Sequence, residues 1–343
     1  MQGAIRKDIE VFSEGTRLAA EMFTPGTPPP TGGYPAILLC HGWGGLKDHL
    51  ARYAEKFAAA GFMAMTFDYR GWGDSDGRII PLRDAPRLLE AGERTMPVRV
   101  LREIVDPIDQ TADVKNCLAF LASEPGVDPA RIGIWGTSYG GGHAVFTAGN
   151  DDRIKAVVAQ IGGFGFPPEH RDWARGRAAA KARGEIDPVI PQDGQDQVEG
   201  LKGTPDVARM VEHSQLGAAA RVHVPTLIID AEFEELNNRL EHGFAAYMMI
   251  RQNARREENV ALLRLRELLV QVERKLIVAL DERRQVLRRH VGRRLHNFIR
   301  RFDRTLTANR QPQANEHRDG NKAGQIAFHD ETLPTYNLQS SSV

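Results

Sequence analysis

Ser138 lies in the run Gly136-Thr-Ser-Tyr-Gly140, with Gly141 and Gly142 directly behind it. An apolar run over 132–135 precedes the motif, and a helix is expected from about Gly141. Glycines two residues either side of a serine, between strand and helix, allow a sharp turn that throws the serine Oγ clear of the sheet. Side chains at those flanking positions would collide with neighbouring backbone. The positive end of the following helix favours negative charge developing at such a serine. This is how a nucleophile is placed for acyl chemistry, in which Oγ attacks a carbonyl and carries the acyl group covalently. A second segment, His41-Gly-Trp-Gly-Gly45, follows the apolar run 36–40. Its glycines let the turn aim the Trp43 N–H at a carbonyl oxygen, and with the Tyr139 N–H it would form an oxyanion hole. Each such donor is worth ~3–4 kcal/mol in the transition state. His41 itself reads as a packing and hydrogen-bonding residue beneath that turn. A third segment, Asp68-Tyr-Arg-Gly-Trp-Gly-Asp-Ser-Asp-Gly77, is a sharp polar turn after the run 63–67.

The elements that must hold these turns alternate. Short apolar runs at 36–40, 63–67, 132–135, 156–159 and 226–229 have the length and composition of buried parallel strands. Helix-length segments at 50–60 and 108–123 lie between them. Strands alternating with helices imply βαβ crossovers and a mostly parallel, doubly wound α/β sheet covered on both faces. A hairpin (9–12 and 18–23, about Ser13-Glu14-Gly15-Thr16) and a Pro/Gly-rich loop over 25–35 come first. Two polar stretches, 78–105 and 163–220, interrupt the alternation; they read equally as solvated loops or, for the second, as a lid inserted over the carboxyl edge of the sheet.

Taken in order and spacing, HGWGG, DYRGWGDSDG and GTSYGGG resemble the α/β-hydrolase superfamily. The similarity is greatest to the branch of dienelactone hydrolases and Xaa-Pro dipeptidyl peptidases, which includes acyl esterases and fungal polyketide thiohydrolases and transferases. The resemblance covers roughly residues 8–250. It implies an α/β-hydrolase domain over 1–255, serine chemistry at Ser138, and an acid in the turn after the strand that follows the lid. That strand ends at Asp230, and Ala231 takes the position of the usual glycine, so Glu234 stands where the acid should lie. A glutamate can orient and stabilise a histidine as an aspartate does. Asp230 is the alternative, and the cluster Glu232, Glu234 and Glu235 also reads as a solvated helix start.

The resemblance places the base after the next strand, in a Gly-x-x-His loop, and no such segment is present. His242 stands close to Glu234 on the expected following helix. His290 and His296 fall in an Arg-rich stretch, and His143 follows the elbow glycines and reads as structural. His329, after the short apolar run 325–328, is the strongest of the remaining candidates.

From residue 256 the character changes. Leu262, Leu265, Leu269, Val272, Leu276, Leu280, Leu287, Val291, Leu295, Phe298 and Phe302 recur at three, four or seven residues, which predicts a long amphipathic helix over 256–305. Residues 251–310 carry 17 basic and 7 acidic side chains, although the whole chain balances 45 against 45. The polar tail, 306–343, reads as disordered. The leucine stripe allows a homodimer; packing against the body with solvated arginines is the plainer reading.

Composition narrows the class. With 41% hydrophobic and 26% charged residues, the chain is not collagen-like, mucin-like or wholly disordered. Two cysteines give neither a disulfide framework nor a metal spacing. No run approaches the ~20 apolar residues of a membrane helix, and the first ten residues lack the core of a secretory signal, so a soluble, cytoplasmic protein is expected. No cofactor, metal or nucleic-acid partner is expected. The expected activity is cleavage of a small-molecule carboxylic ester or thioester through an acyl-enzyme on Ser138. The alternatives are acyl transfer in polyketide or secondary metabolism, and an impaired hydrolase fold acting through its basic helix.

Overall fold

The computed structural model describes residues 4–82, 90–186, 201–231, 238, 240–253 and 260–265. The chain opens with the expected hairpin, β1 (Ile5–Ser13) and β2 (Thr16–Thr24), paired antiparallel. Its two-residue turn has Glu14 at φ 49° and Gly15 at φ 84°, the left-handed pair that matches the twist of a tight hairpin. There follow β3 (Tyr34–Cys40), α1 (Lys47–Ala59) and β4 (Met63–Phe67). The first interruption is a small ribbon, β5 (Arg78–Pro81) with β6 (Val98–Leu101), followed by the short β7 (Ile104–Val105). Regular alternation resumes with α2 (Pro107–Ser123), β8 (Val127–Thr137), α3 (Tyr139–Ala148) and β9 (Ile154–Gln160).

The second interruption is structured in its described parts. A 3-10 turn (Pro168–His170) runs into α4 (Arg171–Arg183); then come β10 (Thr204–Pro205), α5 (Val207–Met210) and α6 (Gln215–Ala219). Strand β11 (Thr226–Ala231), α7 (Gly243–Asn253) and β12 (Val260–Leu265) complete the fold.

Eight strands form one sheet in the order β1-β2-β4-β3-β8-β9-β11-β12. From β4 to β12 every neighbour is parallel, while β2 runs antiparallel to both of its neighbours, β1 and β4. Alternation along β3 shows why both faces are covered. Ala36, Leu38 and Cys40 join one core with Val114, Leu118 and Leu121 of α2, Val145 of α3 and Ile250 of α7. Ile37 and Leu39 point the other way, to Leu50, Ala54 and Ala58 of α1. A strand buried on both faces must be apolar at every position, and all seven residues of β3 are buried.

One expectation needs correction. Residues 260–265 are a strand pairing in parallel with β11, from Thr226 opposite Val260 to Ala231 opposite Leu265. The sheet therefore extends past 255, and Leu262 and Leu265 do not begin a helix. A central strand open on one side offers six residues of backbone hydrogen bonding and a buried face, which outweighs the local helical spacing. The rest of the predicted basic helix and the tail, 266–343, lie outside the described residues. Among the described residues no helix is long and apolar enough to cross a membrane.

Candidate active site

The serine sits at the tip of a strained turn. Ser138 adopts φ 52° and ψ −127° between the end of β8 and the first turn of α3. A non-glycine residue in that region persists only where its surroundings over-determine it. They do so here on both sides. The Ser138 N–H donates to the Gln160 carbonyl at 2.8 Å, and its carbonyl accepts from the N–H groups of Gly141 (2.8 Å) and Gly163 (3.1 Å).

Glycines let the two predicted loops meet. A Cβ on Gly140 would collide with the carbonyl oxygens of Cys40 and His41, so the start of α3 rests directly on the end of β3. A Cβ on Gly42 would stand 2.8 Å from the Cβ of Ser138 and 3.4 Å from its Oγ. The loop that carries Trp43 is thereby pressed against the serine, and the Trp43 ring packs edge-on to Tyr139 with centroids 5.5 Å apart. Tyr139 heads α3, so its N–H has no partner within the helix.

His41 is buried, and its Nδ1–H donates to the Gly42 carbonyl at 2.9 Å. Burial pushes its pKa down to about 4, against the pull of that hydrogen bond and of Asp68. A neutral, inward-facing ring supports the loop, as expected, and supplies no base. His143 is likewise buried, with Nε2 3.1 Å from Gln110 Oε1.

The 68–77 turn has a role that its residues alone did not disclose. Asp68 is fully buried at the end of β4 and accepts the N–H of Lys47, the first residue of α1, at 2.7 Å. Its other oxygen accepts from the Asp74 N–H (3.1 Å) and Lys47 Nζ (3.3 Å), while Nζ also reaches Asp74 at 2.6 Å. Burial works against the Lys47 charge, but the two carboxylates outweigh it and raise its pKa. The clamp fixes the start of α1 and hence the far end of the 41–46 loop. Arg70 of the same turn pairs with the buried Asp113 at 2.7 Å, which ties the turn to α2. An aspartate directly behind an apolar strand was the available signal.

The second interruption returns over these loops. The Lys202 carbonyl lies 3.0 Å from where a Cβ on Gly44 would stand, and Gln215 of α6 bonds the Tyr139 hydroxyl.

Of the expected acids, Glu234 lies outside the described residues, with Glu232 and Glu235. Asp230 is buried at the end of β11, where its Oδ2 would be 2.5 Å from a Cβ on Gly243. His242 stands one residue before α7 rather than on it, and its Nδ1 accepts the Phe164 N–H at 2.9 Å. The proton of its neutral form is therefore on Nε2, the wrong tautomer to take one from serine. Position gave no hint of this contact, since 78 residues separate the partners. His290, His296 and His329 lie outside the described residues.

The sequence model of the dienelactone hydrolase family matches residues 18–210. That span takes in the 41–45 loop, the 68–77 turn and the elbow. The chain belongs to this family.

The quorum-quenching protein AidA of Acinetobacter baumannii is 34% identical over 154 residues, covering 45% of this chain and 42% of that protein. Thiohydrolase aneE of Aspergillus aculeatus is 31% identical over 126 residues, 36% of this chain and 33% of its own length. The chain thus spans less than half the length of these curated relatives. The solved structure of the α/β hydrolase GrgF from Penicillium sp. sh18 superposes with a TM-score of 0.59 over 84% of this chain and 99% of its own, at 18% identity. That likeness shows the fold, an α/β hydrolase. Among the described residues no group of His, Cys, Asp or Glu is arranged to hold a metal, and Cys40 and Cys117 are free and buried.

Proposed function

We propose that this chain is a serine hydrolase that cleaves a carboxylic ester or thioester through an acyl-enzyme on Ser138. The observation that carries the reading is the backbone of Ser138, held at φ 52° with Gly42 of the facing loop pressed against its side chain. Ser138 Oγ attacks the carbonyl carbon, the carbonyl electron pair moves onto oxygen, and the Trp43 and Tyr139 N–H groups receive the oxyanion. Collapse breaks the C–O or C–S bond, and the alcohol or thiol leaves with the proton that Ser138 gave up. Water then releases the acid and restores the serine; an acceptor alcohol in place of water makes the same enzyme an acyltransferase. Glu234 is the proposed acid. Family membership and the thiohydrolase relative support a thioester as readily as an ester. A soluble protein acting on a small molecule in the cytoplasm fits this chemistry.

A second reading has its own observation. Strand β12, the neighbour of β11, is the strand after which the family's histidine belongs. No histidine occurs between Leu265 and His290. If none of His290, His296 and His329 reaches Ser138, the serine is poorly activated, and only the ~10³–10⁴-fold catalysis of the oxyanion hole and binding remains.

Turnover of a short p-nitrophenyl ester and of an acyl-thiol by the full chain, beside Ser138→Ala, tests the proposal. Hydrolysis that disappears in the variant supports it. Turnover equal in both proteins contradicts it, and a wild-type rate within that residual range favours the second reading.

A further inference from the structure

The turn behind the nucleophile is held from a distance. After β9 the chain passes Ile161, at φ 44°, then Gly162, Gly163 and Phe164. This turn lies flat against the start of α3: a Cβ on Gly142 would strike the Gly163 carbonyl, and one on Gly141 would be 3.1 Å from the Gly162 Cα. The Gly163 N–H donates to the Ser138 carbonyl at 3.1 Å. One residue on, the Phe164 carbonyl accepts from Leu216 of α6 at 3.0 Å, and its N–H donates to His242 Nδ1 at 2.9 Å. The Phe164 ring is fully buried. His242 is itself fixed, because its carbonyl accepts the Ala246 N–H at 2.9 Å and so starts α7, while the next residue, Gly243, sits on the Asp230 carboxylate.

We propose that His242 is a positioning residue for the nucleophile: by accepting the Phe164 N–H, it holds the 161–164 turn in the register that lets Gly163 grip the Ser138 carbonyl. The inference rests on the reading of Ser138 as nucleophile for its consequence, and on geometry alone for the contact. A side chain that merely filled space at 242 would not need an acceptor at Nδ1. A protonated imidazole cannot accept at that nitrogen, so the hold depends on the neutral ring. Burial lowers the His242 pKa, and the neighbouring Glu241 opposes it. Asp230, on β11, also lies against this corner beside Gly243, and the Tyr139 ring of α3 lies against Gly163. The grip is thus complete at neutral pH and is lost as the pH falls through the His242 pKa, below the ordinary ~6.5 of the free side chain.

Two variants of the full chain separate acceptor from volume. His242→Leu keeps bulk and removes the acceptor; His242→Asn offers a carbonyl oxygen near the Nδ1 position and cannot titrate. Amide exchange at Gly163 and Phe164 and the rate of fluorophosphonate labelling at Ser138 are measured for each. Loss of one such hydrogen bond predicts that His242→Leu reduces amide protection and labelling by about tenfold, and that His242→Asn recovers both to within about threefold of wild type. In wild type, protection at Phe164 relative to Ala159 should decline with acid, and in His242→Asn it should not. Equal behaviour of the two variants, or an acid profile unchanged by asparagine, overturns the inference. The wild-type acid profile decides the matter if the leucine variant does not fold. Should wild type never label, the serine reading fails, and the two amide protections still decide the role of His242.

Discussion

Gly42 stands so close to Ser138 that a single added methyl would touch its side chain: the new Cβ would lie 2.8 Å from the serine Cβ and 3.0 Å from the Thr137 carbonyl. Gly42→Ala should therefore displace the serine or the loop by a fraction of an ångström. Labelling of Ser138 is expected to slow by about tenfold or more, since small misplacements of reacting groups cost that much. The circular dichroism spectrum should stay that of wild type. Undiminished labelling would mean that the loop does not define the site.

Gly140 faces a harder obstacle. A Cβ there meets the carbonyl oxygens of Cys40, the last residue of a central strand, and of His41 directly after it, neither of which can swing aside. Gly140→Ala should cost about 3 kcal/mol or more of stability, read from denaturant unfolding. A loss below about 1 kcal/mol would show that β3 and α3 are less tightly packed than described.

The Lys47–Asp68–Asp74 cluster makes an unequal triad. Asp68 has no exposed side-chain surface, whereas Asp74 is 76% exposed. Lys47→Met strands a buried carboxylate and should lose about 3–5 kcal/mol. Asp74→Asn removes a solvated partner and should lose no more than about 1 kcal/mol. Melting curves of the two variants check the order, and equal losses would refute it.

Acid should weaken the fold through its buried histidines. Burial pushes His41 and His213 down to about 4 and lowers His143 well below the usual histidine range, with His213 and His41 adding to the effect on His143. An unfolded chain takes up these protons near pH ~6.5, and the fold refuses them. Their contribution is whole above that pH, falls as the pH drops, and is exhausted below about 4 for His41 and His213. The buried carboxyls Asp106 and Asp113, raised by burial, act in the opposite sense. Stability measured from pH 7 to pH 4.5 should therefore decline, and His213→Leu should flatten the decline. An identical slope in the variant would remove His213 from the account.

How far the residues speak for themselves depends on distance along the chain. The elbow and the 41–45 loop were legible because glycine at fixed offsets, behind an apolar strand, is a local pattern with a local cause. Strand β4 falls on its apolar run, 63–67, for the same reason. Strand β12 was not legible. Its residues, VALLRL, sit equally in a helical stripe, and only the open edge of β11 decides between them. Helix α4 has a polar, weakly periodic sequence, and the strands of ribbon β5–β6 are only four residues each and fixed by partners 17 to 23 residues apart. The clamp of Asp68 on Lys47 and the grip of His242 on Phe164 join residues 21 and 78 apart, where spacing carries no information about contact.

Activation of Ser138 as a nucleophile within this chain can be read out directly. Fluorophosphonate labelling of the purified full-length protein, with the modified peptide located by mass spectrometry, tests it most directly. Rapid, single-site modification of Ser138 is expected, absent in Ser138→Ala and in acid-unfolded protein. A folded chain that stays unmodified, or that carries the label on another residue, would contradict it.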